Sequence, residues 1–305
     1  MWTDPKKRKR TERENFMKQL WRRLSSCVLA LAMIFALVSC GQKEQPSGGD
    51  AASVMLSAQQ QLEDITSMRY TYAMEMSISA QGESMEMTVD GSAELTMDPA
   101  AAMMTMNMNM MGLSLNNVQI YMVSENGQTV AYTGMDMAGT GENQWYKSLA
   151  EDSGMNTEQY NAMDSFELYM KNGSNFKAAG KETVQGAPAT RYEGVISSDM
   201  LEDTLEESGS LDNITSLLGE DYSDVLSKLG GIPITIWIND AGLPVKYVFD
   251  MTSMMTELLQ NSEDSRDADV TVDKFVMSME VESYNDVDAI TVPQEVLASA
   301  TDIAG

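Results

Sequence analysis

The sequence predicts an α+β fold, one long antiparallel sheet wrapped around a few helices. Three observations carry that expectation. Segments from residue 67 onward alternate apolar and polar residues one by one, and a period of two marks strands with one buried and one wet face. Glycine-containing turn signals separate these segments, Asn126-Gly127 among them, as hairpins require. Three other stretches, near 54–65, 157–171 and 199–229, carry apolar residues at helical spacing, and they are the apolar elements left to cover the greasy face of the sheet.

The elements follow in chain order. In the helix at 54–65, Val54, Ala58, Leu62 and Ile65 fall near one side. "SMRYTYAMEMSISA" then reads as a strand, with Met68, Tyr70, Tyr72, Met74, Met76 and Ile78 on one face and Arg69, Thr71, Glu75 and Ser77 on the other. After a turn at Gln81-Gly82, "SMEMTVDGSAELTM" repeats the scheme with Met85, Met87, Val89, Ala93, Leu95 and Met97. The tract "MMTMNMNMM", 103–111, alternates Met104, Met106, Met108 and Met110 with Thr105, Asn107 and Asn109, so it is the third strand of the same sheet. The pattern continues through "VQIYMVSENGQTVAYTG" and "NQWYKSL".

The second half opens on the helix at 157–171, with Tyr160, Met163, Phe166 and Met170 in phase. "FKAAGKETVQGAPATRYEGVI" is a hairpin turning at Gln185-Gly186. Residues 199–229 read as helices broken near Ser208-Gly209-Ser210 and stopped by Gly230-Gly231. "IPITIWINDAGLPVKYVFDMTSMM" gives two strands around Asn239-Asp240-Ala241-Gly242. In "VTVDKFVMSMEVESY" the apolar face switches between Val272 and Phe275, the signature of a β-bulge.

The first 39 residues are read as a targeting signal and set apart from the fold. Basic residues from Lys6 to Arg23 lead into "CVLALAMIFALV", too short an apolar run to span a bilayer, which takes roughly 20 residues. The run ends in Leu37-Val38-Ser39-Cys40. This resembles the lipobox of bacterial lipoproteins, which implies a lipid on the Cys40 thiol and cleavage just before it. Met17-Lys18-Gln19-Leu20-Trp21-Arg22-Arg23 looks like a lipoprotein start, leaving residues 1–16 as a candidate extension that is not translated. The only other cysteine, Cys27, lies inside the signal, so no disulfide is expected in the mature chain.

"GQKEQPSGGDAAS" then reads as a flexible tether, with residues 40–52 reaching on the order of 20 Å. Residues 53–305 form the folded domain. The signal holds nine of the 20 Lys/Arg and three of the 46 Asp/Glu, which leaves the remainder with a net charge of −32. Such a surface repels phosphate backbones and anionic headgroups, so nucleic acid is not an expected partner.

Taken together, the lipobox and tether, "QQLEDITSMRYTYAMEM", "GAPATRYEGVI", "WINDAGLPVKYVFDMT" and "YNDVDAITVPQEV" resemble the LolA/LppX-like bacterial lipoproteins. The resemblance implies a long curved sheet, an open half-barrel over lid helices. It implies carriage of acyl chains or lipids between sheet and helices, or, as in some related domains, an envelope-stress sensor that meets a protein partner.

Little in the chain points to an enzyme. There is no histidine, which removes the usual general base and the commonest zinc ligand. Ser174-Asn175-Phe176-Lys177 matches S-x-x-K without the companion motifs. "EDSRDADVTVD", 263–273, lacks the glycine and closing glutamate of a calcium loop. No catalytic residue, cofactor or metal is expected.

The methionines admit three readings: core strand, lining of a ligand cavity, or a Cu(I) site of soft thioethers. A metal box is local, whereas Met74, Met76, Met85, Met87, Met277 and Met279 repeat the alternation on other strands. The tract therefore reads as wall. The expected function is a lipid-anchored lipoprotein on the extracytoplasmic side of a cell membrane, binding a lipid or other hydrophobic ligand. The expected wall is Tyr70, Tyr72, Met74, Met76, Met85, Met87, Met104, Met106, Met108 and Met110, with the 199–229 helices as lid. The alternatives are a sensor or interaction module whose groove is filled by its own helices, and a Cu(I)-binding protein.

Overall fold

The computed structural model describes residues 50–80, 83–136, 139–150, 175–197, 231–261 and 270–303. The signal, Cys40, the predicted helices at 157–171 and 199–229, Ser174 and most of the acidic loop at 263–273 lie outside the described residues.

Within them, alternating sequence becomes a 12-stranded open sheet with three short helices. Helix α1 (Asp50–Leu62) leads into the meander β1 (Ser67–Ala80), β2 (Glu83–Met97), β3 (Ala100–Met110), β4 (Leu113–Glu125), β5 (Gln128–Met135) and β6 (Gln144–Leu149). A second meander holds β7 (Lys177–Val184), β8 (Ala187–Ile196), β9 (Ile232–Asn239), β10 (Pro244–Asp250) and β11 (Val270–Tyr284), with α2 (Thr252–Asn261) before β11. Helix α3 (Gln294–Ser299) and β12 (Thr301–Asp302) end the described chain. The spatial order is β12-β6-β5-β4-β3-β2-β1-β11-β10-β9-β8-β7, so pairing of β1 with β11 joins the two meanders. Every neighbouring pair is antiparallel except β12 with β6.

Turn chemistry fixes the register. Asn126-Gly127 and Gln185-Gly186 both carry positive φ at each position and close two-residue loops, Glu125 opposite Gln128 and Val184 opposite Ala187. Such loops match strand twist only with φ above zero. A third loop of this kind, Met111-Gly112 (φ 50° and 81°), divides β3 from β4 where the sequence reading saw the methionine strand run to its end. The switch of apolar face in β11 is a bulge: Ser77 pairs with Lys274 and Ile78 with Val272, leaving Asp273 extra.

Three expectations need correction. The first helix begins and ends earlier than 54–65, and its deepest residues are Ala52, Met55, Ala58 and Leu62; Val54 is only half-buried, while Ile65 is buried beyond the helix end. Thr252 to Met255 do not continue a strand but begin α2. Asp250 Oδ1 accepts from the Thr252 amide at 3.0 Å, and Met251, Met254 and Met255 are buried at the i, i+3, i+4 spacing of a helix face. Finally, the outer face is not wet throughout. Val130, Tyr132 and Val296 form a second core with Tyr121, Val123 and Trp145, in which α3 covers the outside of β4–β6.

Val184, Ala189 and Trp237 form a third core with Val245 and Val248, and the outer face between these patches is mostly polar and in register. Arg191, Trp237, Lys246, Glu280, Thr71, Ser92, Thr105 and Gln119 stand side by side on eight adjacent strands. Lys246 bonds Glu280 at 2.6 Å, Ser92 bonds Thr105 at 2.8 Å, and Trp237 donates to Glu182 at 2.8 Å. Exposed pairs of this kind add at most about 1 kcal/mol each, so they fix register more than they stabilise.

Two buried phenols give the fold a pH limit. Tyr247 is fully buried, and Tyr284 donates to the Pro244 carbonyl at 2.7 Å. Burial pushes both phenols above their ordinary range, Tyr247 well above. The raised folded pKa means the native state holds protons that the unfolded chain gives up, so stability is intact below an unfolded pKa of about 10 and falls above it. Each phenol then removes about 1.4 kcal/mol per pH unit. Denaturant midpoints measured through this alkaline range should fall together with the late appearance of tyrosinate absorbance. A midpoint that stays level while all tyrosines titrate together would refute this.

Candidate functional site

The inner face is built from rows of side chains crossing the strands. One row runs Tyr192, Ile236, Tyr247, Met279, Tyr72, Gly91, Met106 and Val118. The next runs Phe249, Met277, Met74, Val89, Met108 and Leu115, and a third runs Phe275, Met76, Met87, Met110 and Leu113. Helices α1 and α2 contribute Met55, Ala58, Leu62, Met251, Met254 and Met255 to the same apolar cluster.

Burial falls along the second and third rows, which end on exposed Leu115 and Leu113, whereas the first closes again on buried Val118. Phe275 is fully buried and Met76 and Met87 nearly so, Met110 is half-buried, and Leu113 is 70% exposed. The sequence-predicted residues divide accordingly. Met74, Met76, Met85 and Met87 lie deep in the core. Tyr70, Tyr72, Met104, Met106, Met108 and Met110 are half-buried and pack against its margin. All ten therefore share one face, but four are interior packing and six border the less covered β3–β4 side. Cys40 lies outside the described residues.

Tyr72 is placed by glycine. Its ring lies across Gly91, where an added Cβ would meet the Tyr72 hydroxyl at 2.7 Å and the Thr105 carbonyl oxygen closer still. With no side chain on β2 at that point, the Tyr72 hydroxyl reaches the Thr105 carbonyl of β3 at 3.1 Å. The Tyr70 ring stands 6.3 Å away, tilted by 53°, within the range of favourable aromatic pairs. The result is a smooth aromatic shelf beside the methionines, its hydroxyl already satisfied.

Sequence reasoning missed Met55, Met251, Met254 and Met255, which belong to the same cluster. The signal was present, since Met55, Ala58 and Leu62 keep helical spacing. Among the described residues no three His, Cys, Asp or Glu side chains gather as a metal site, and no helix is long and apolar enough to cross a membrane. What the arrangement offers chemically is flexible thioether surface that can re-pack around an apolar partner.

The family described as a family of unknown function (DUF6612) matches residues 50–193, from the start of α1 into β8. No curated protein matches the sequence. Among solved structures the chain is similar to LprF from Mycobacterium bovis, with 14% identity, a TM-score of 0.44, and coverage of 82% of this chain and 99% of that one. It is similar to the lipoprotein LppX from Mycobacterium tuberculosis at 11% identity and a TM-score of 0.39, covering 79% and 98%. An outer membrane lipoprotein-sorting protein domain from Vibrio parahaemolyticus aligns at 9% identity and a TM-score of 0.23, covering 78% and 94%. The likeness to these proteins is one of fold alone, with every TM-score below 0.5.

Proposed function

We propose that this chain is a lipid-anchored lipoprotein on the extracytoplasmic side of a membrane, and that it holds a lipid or other hydrophobic ligand on its methionine-rich face. The observation that supports this is the burial gradient along the second and third rows, from closed core at β11 and β1 to half-covered methionines on β3. A solvent-facing apolar margin continuous with the core is where a ligand's chain gains most, roughly 0.8 kcal/mol for each methylene buried. Methionine suits that margin because an unbranched, polarisable side chain fits acyl chains of varied length. The lipobox at Leu37–Cys40 supports the anchor.

The test is native mass spectrometry of the chain from Gly41 onward, which keeps α1 intact from Asp50. A stoichiometric lipid released by solvent extraction is the expected result. A clean apo mass that stays unchanged after incubation with membrane lipids would move the assignment to a protein-interaction module. Retained copper that disappears when Met104, Met106, Met108 and Met110 become leucine would move it to Cu(I) binding.

A further inference from the structure

Pro99 through Ser124 contains no Asp, Glu, Lys or Arg, the longest uncharged run of a chain whose formal charge is −26. The run takes in all of the β3–β4 hairpin except Glu125, the last residue of β4. Three of the six exposed large hydrophobic residues among those described sit at its tip: Met111 at 59%, Leu113 at 70% and Leu115 at 37% exposed. Three other turns carry charge beside them: Glu125 next to Asn126-Gly127, Asp136 and Glu142 flanking the β5–β6 loop, and Asp240 between β9 and β10.

The tip is also chosen against local preference. Met111 takes a φ of 50°, a left-handed conformation that costs a non-glycine residue about 1–2 kcal/mol and that asparagine tolerates best. The neighbouring β4–β5 hairpin uses Asn126 at the equivalent position. A methionine there gains no cover within the fold. The outward side of the hairpin is neutral as well: Ser114 bonds Asn109 at 2.6 Å, and the Asn117 amide donates to Asn107 at 3.0 Å.

We infer that the β3–β4 tip docks on the uncharged surface of a zwitterionic lipid bilayer, with Met111, Leu113 and Leu115 entering the headgroup–acyl boundary. The inference rests on the anchored, ligand-binding reading above and adds to it the point of contact. Charge selects the surface. An acidic body is repelled by anionic lipid, and a hairpin whose only charge, Glu125, lies at the far end of β4 can approach a neutral bilayer without desolvating an ion. Reach would permit it, since a tether of the nine residues between a lipidated Cys40 and Asp50 would span on the order of 20 Å. Leu113 and Leu115 pair with Met110 and Met108, so a bilayer touching the tip is continuous with the methionine face. The docked hairpin is a ramp from membrane to cleft.

The test uses the lipidated full-length product, purified from membranes and reconstituted in phosphatidylcholine vesicles. Leu113→Cys carries an environment-sensitive fluorophore at the tip, and Gln128→Cys carries it beside the β4–β5 turn as control. Both sites are exposed, so neither change disturbs the core. The label at position 113 is expected to shift to the blue and be quenched about twofold by lipid-borne nitroxides, at the depth of about 5–10 Å typical of interfacial insertion, while the label at 128 stays unquenched. Equal solvent exposure at both positions would overturn the inference and leave the anchor reading intact. A blue shift at position 113 without quenching by the lipid-borne nitroxides would overturn it by placing another part of the chain or a second copy on the tip. Uptake of fluorophore by the unsubstituted chain would mean a free Cys40, and would overturn the anchor reading together with this inference.

Discussion

Phe275→Ala is expected to remove most of the stability of this domain. Phe275 is fully buried and pairs with Met76 in the seam that joins the two meanders. Truncating a buried phenylalanine costs about 3–5 kcal/mol through lost transfer energy and the cavity left behind. That is a large share of the roughly 5–15 kcal/mol by which a domain is stable. The backbone of the same residue is tied to α2: its amide donates to Thr252 Oγ1 at 2.9 Å, and its carbonyl accepts from Met251 at 2.8 Å. Loss of the ring therefore loosens α2 along with the seam. Urea unfolding would show it as a collapsed midpoint. A loss below about 1 kcal/mol, the usual scale for surface changes, would mean the seam is not where the fold is held.

Met106→Asp is expected to abolish ligand binding while sparing the fold. Met106 stands between Gly91 and Val118 in the first inner row and is only half-buried, so a carboxylate there can still reach water in the empty protein. Once an acyl chain covers it, the charge is desolvated without a partner, which costs several kcal/mol. Affinity should fall about 100-fold or more, equivalent to about 2.7 kcal/mol. Met106→Leu keeps the volume and apolarity and should stay within about threefold. Displacement of a fluorescent fatty acid measures both. If the folded Asp variant binds as the parent does, the β3 margin is not the ligand surface.

Most of the sheet was legible because period-two alternation is local. Each strand from β1 to β5 announces its own inner face, and Asn126-Gly127 and Gln185-Gly186 announce their turns. The Met111-Gly112 turn was hidden because methionine gives no turn signal and alternation runs straight into it. Helix α2 was missed for a related reason: Met251, Met254 and Met255 follow a strand so closely that their helical spacing reads as its continuation. The second core on the outer face depends on Val296 meeting Val130 and Tyr132, a contact between distant segments that no local pattern encodes. The methionine face itself was readable as a face. Which of its residues are interior and which are margin was not, because that depends on where α1 and α2 lie across it.

The strand β12 is only two residues long, yet it determines when the first meander becomes safe from aggregation. It caps β6 through Thr301 opposite Tyr146 and Asp302 opposite Lys147, and Ile303 donates to the Lys147 carbonyl at 2.9 Å. Until residues 301–303 arrive, β6 presents a row of unsatisfied amides and carbonyls of the kind that recruits foreign strands. The cap is synthesised after every other described strand, so a nascent chain that folded as it emerged would pass through a form with β6 uncapped. Contacts so far apart in sequence also make folding slow. Keeping the chain unfolded until it is whole would be the safer order of events.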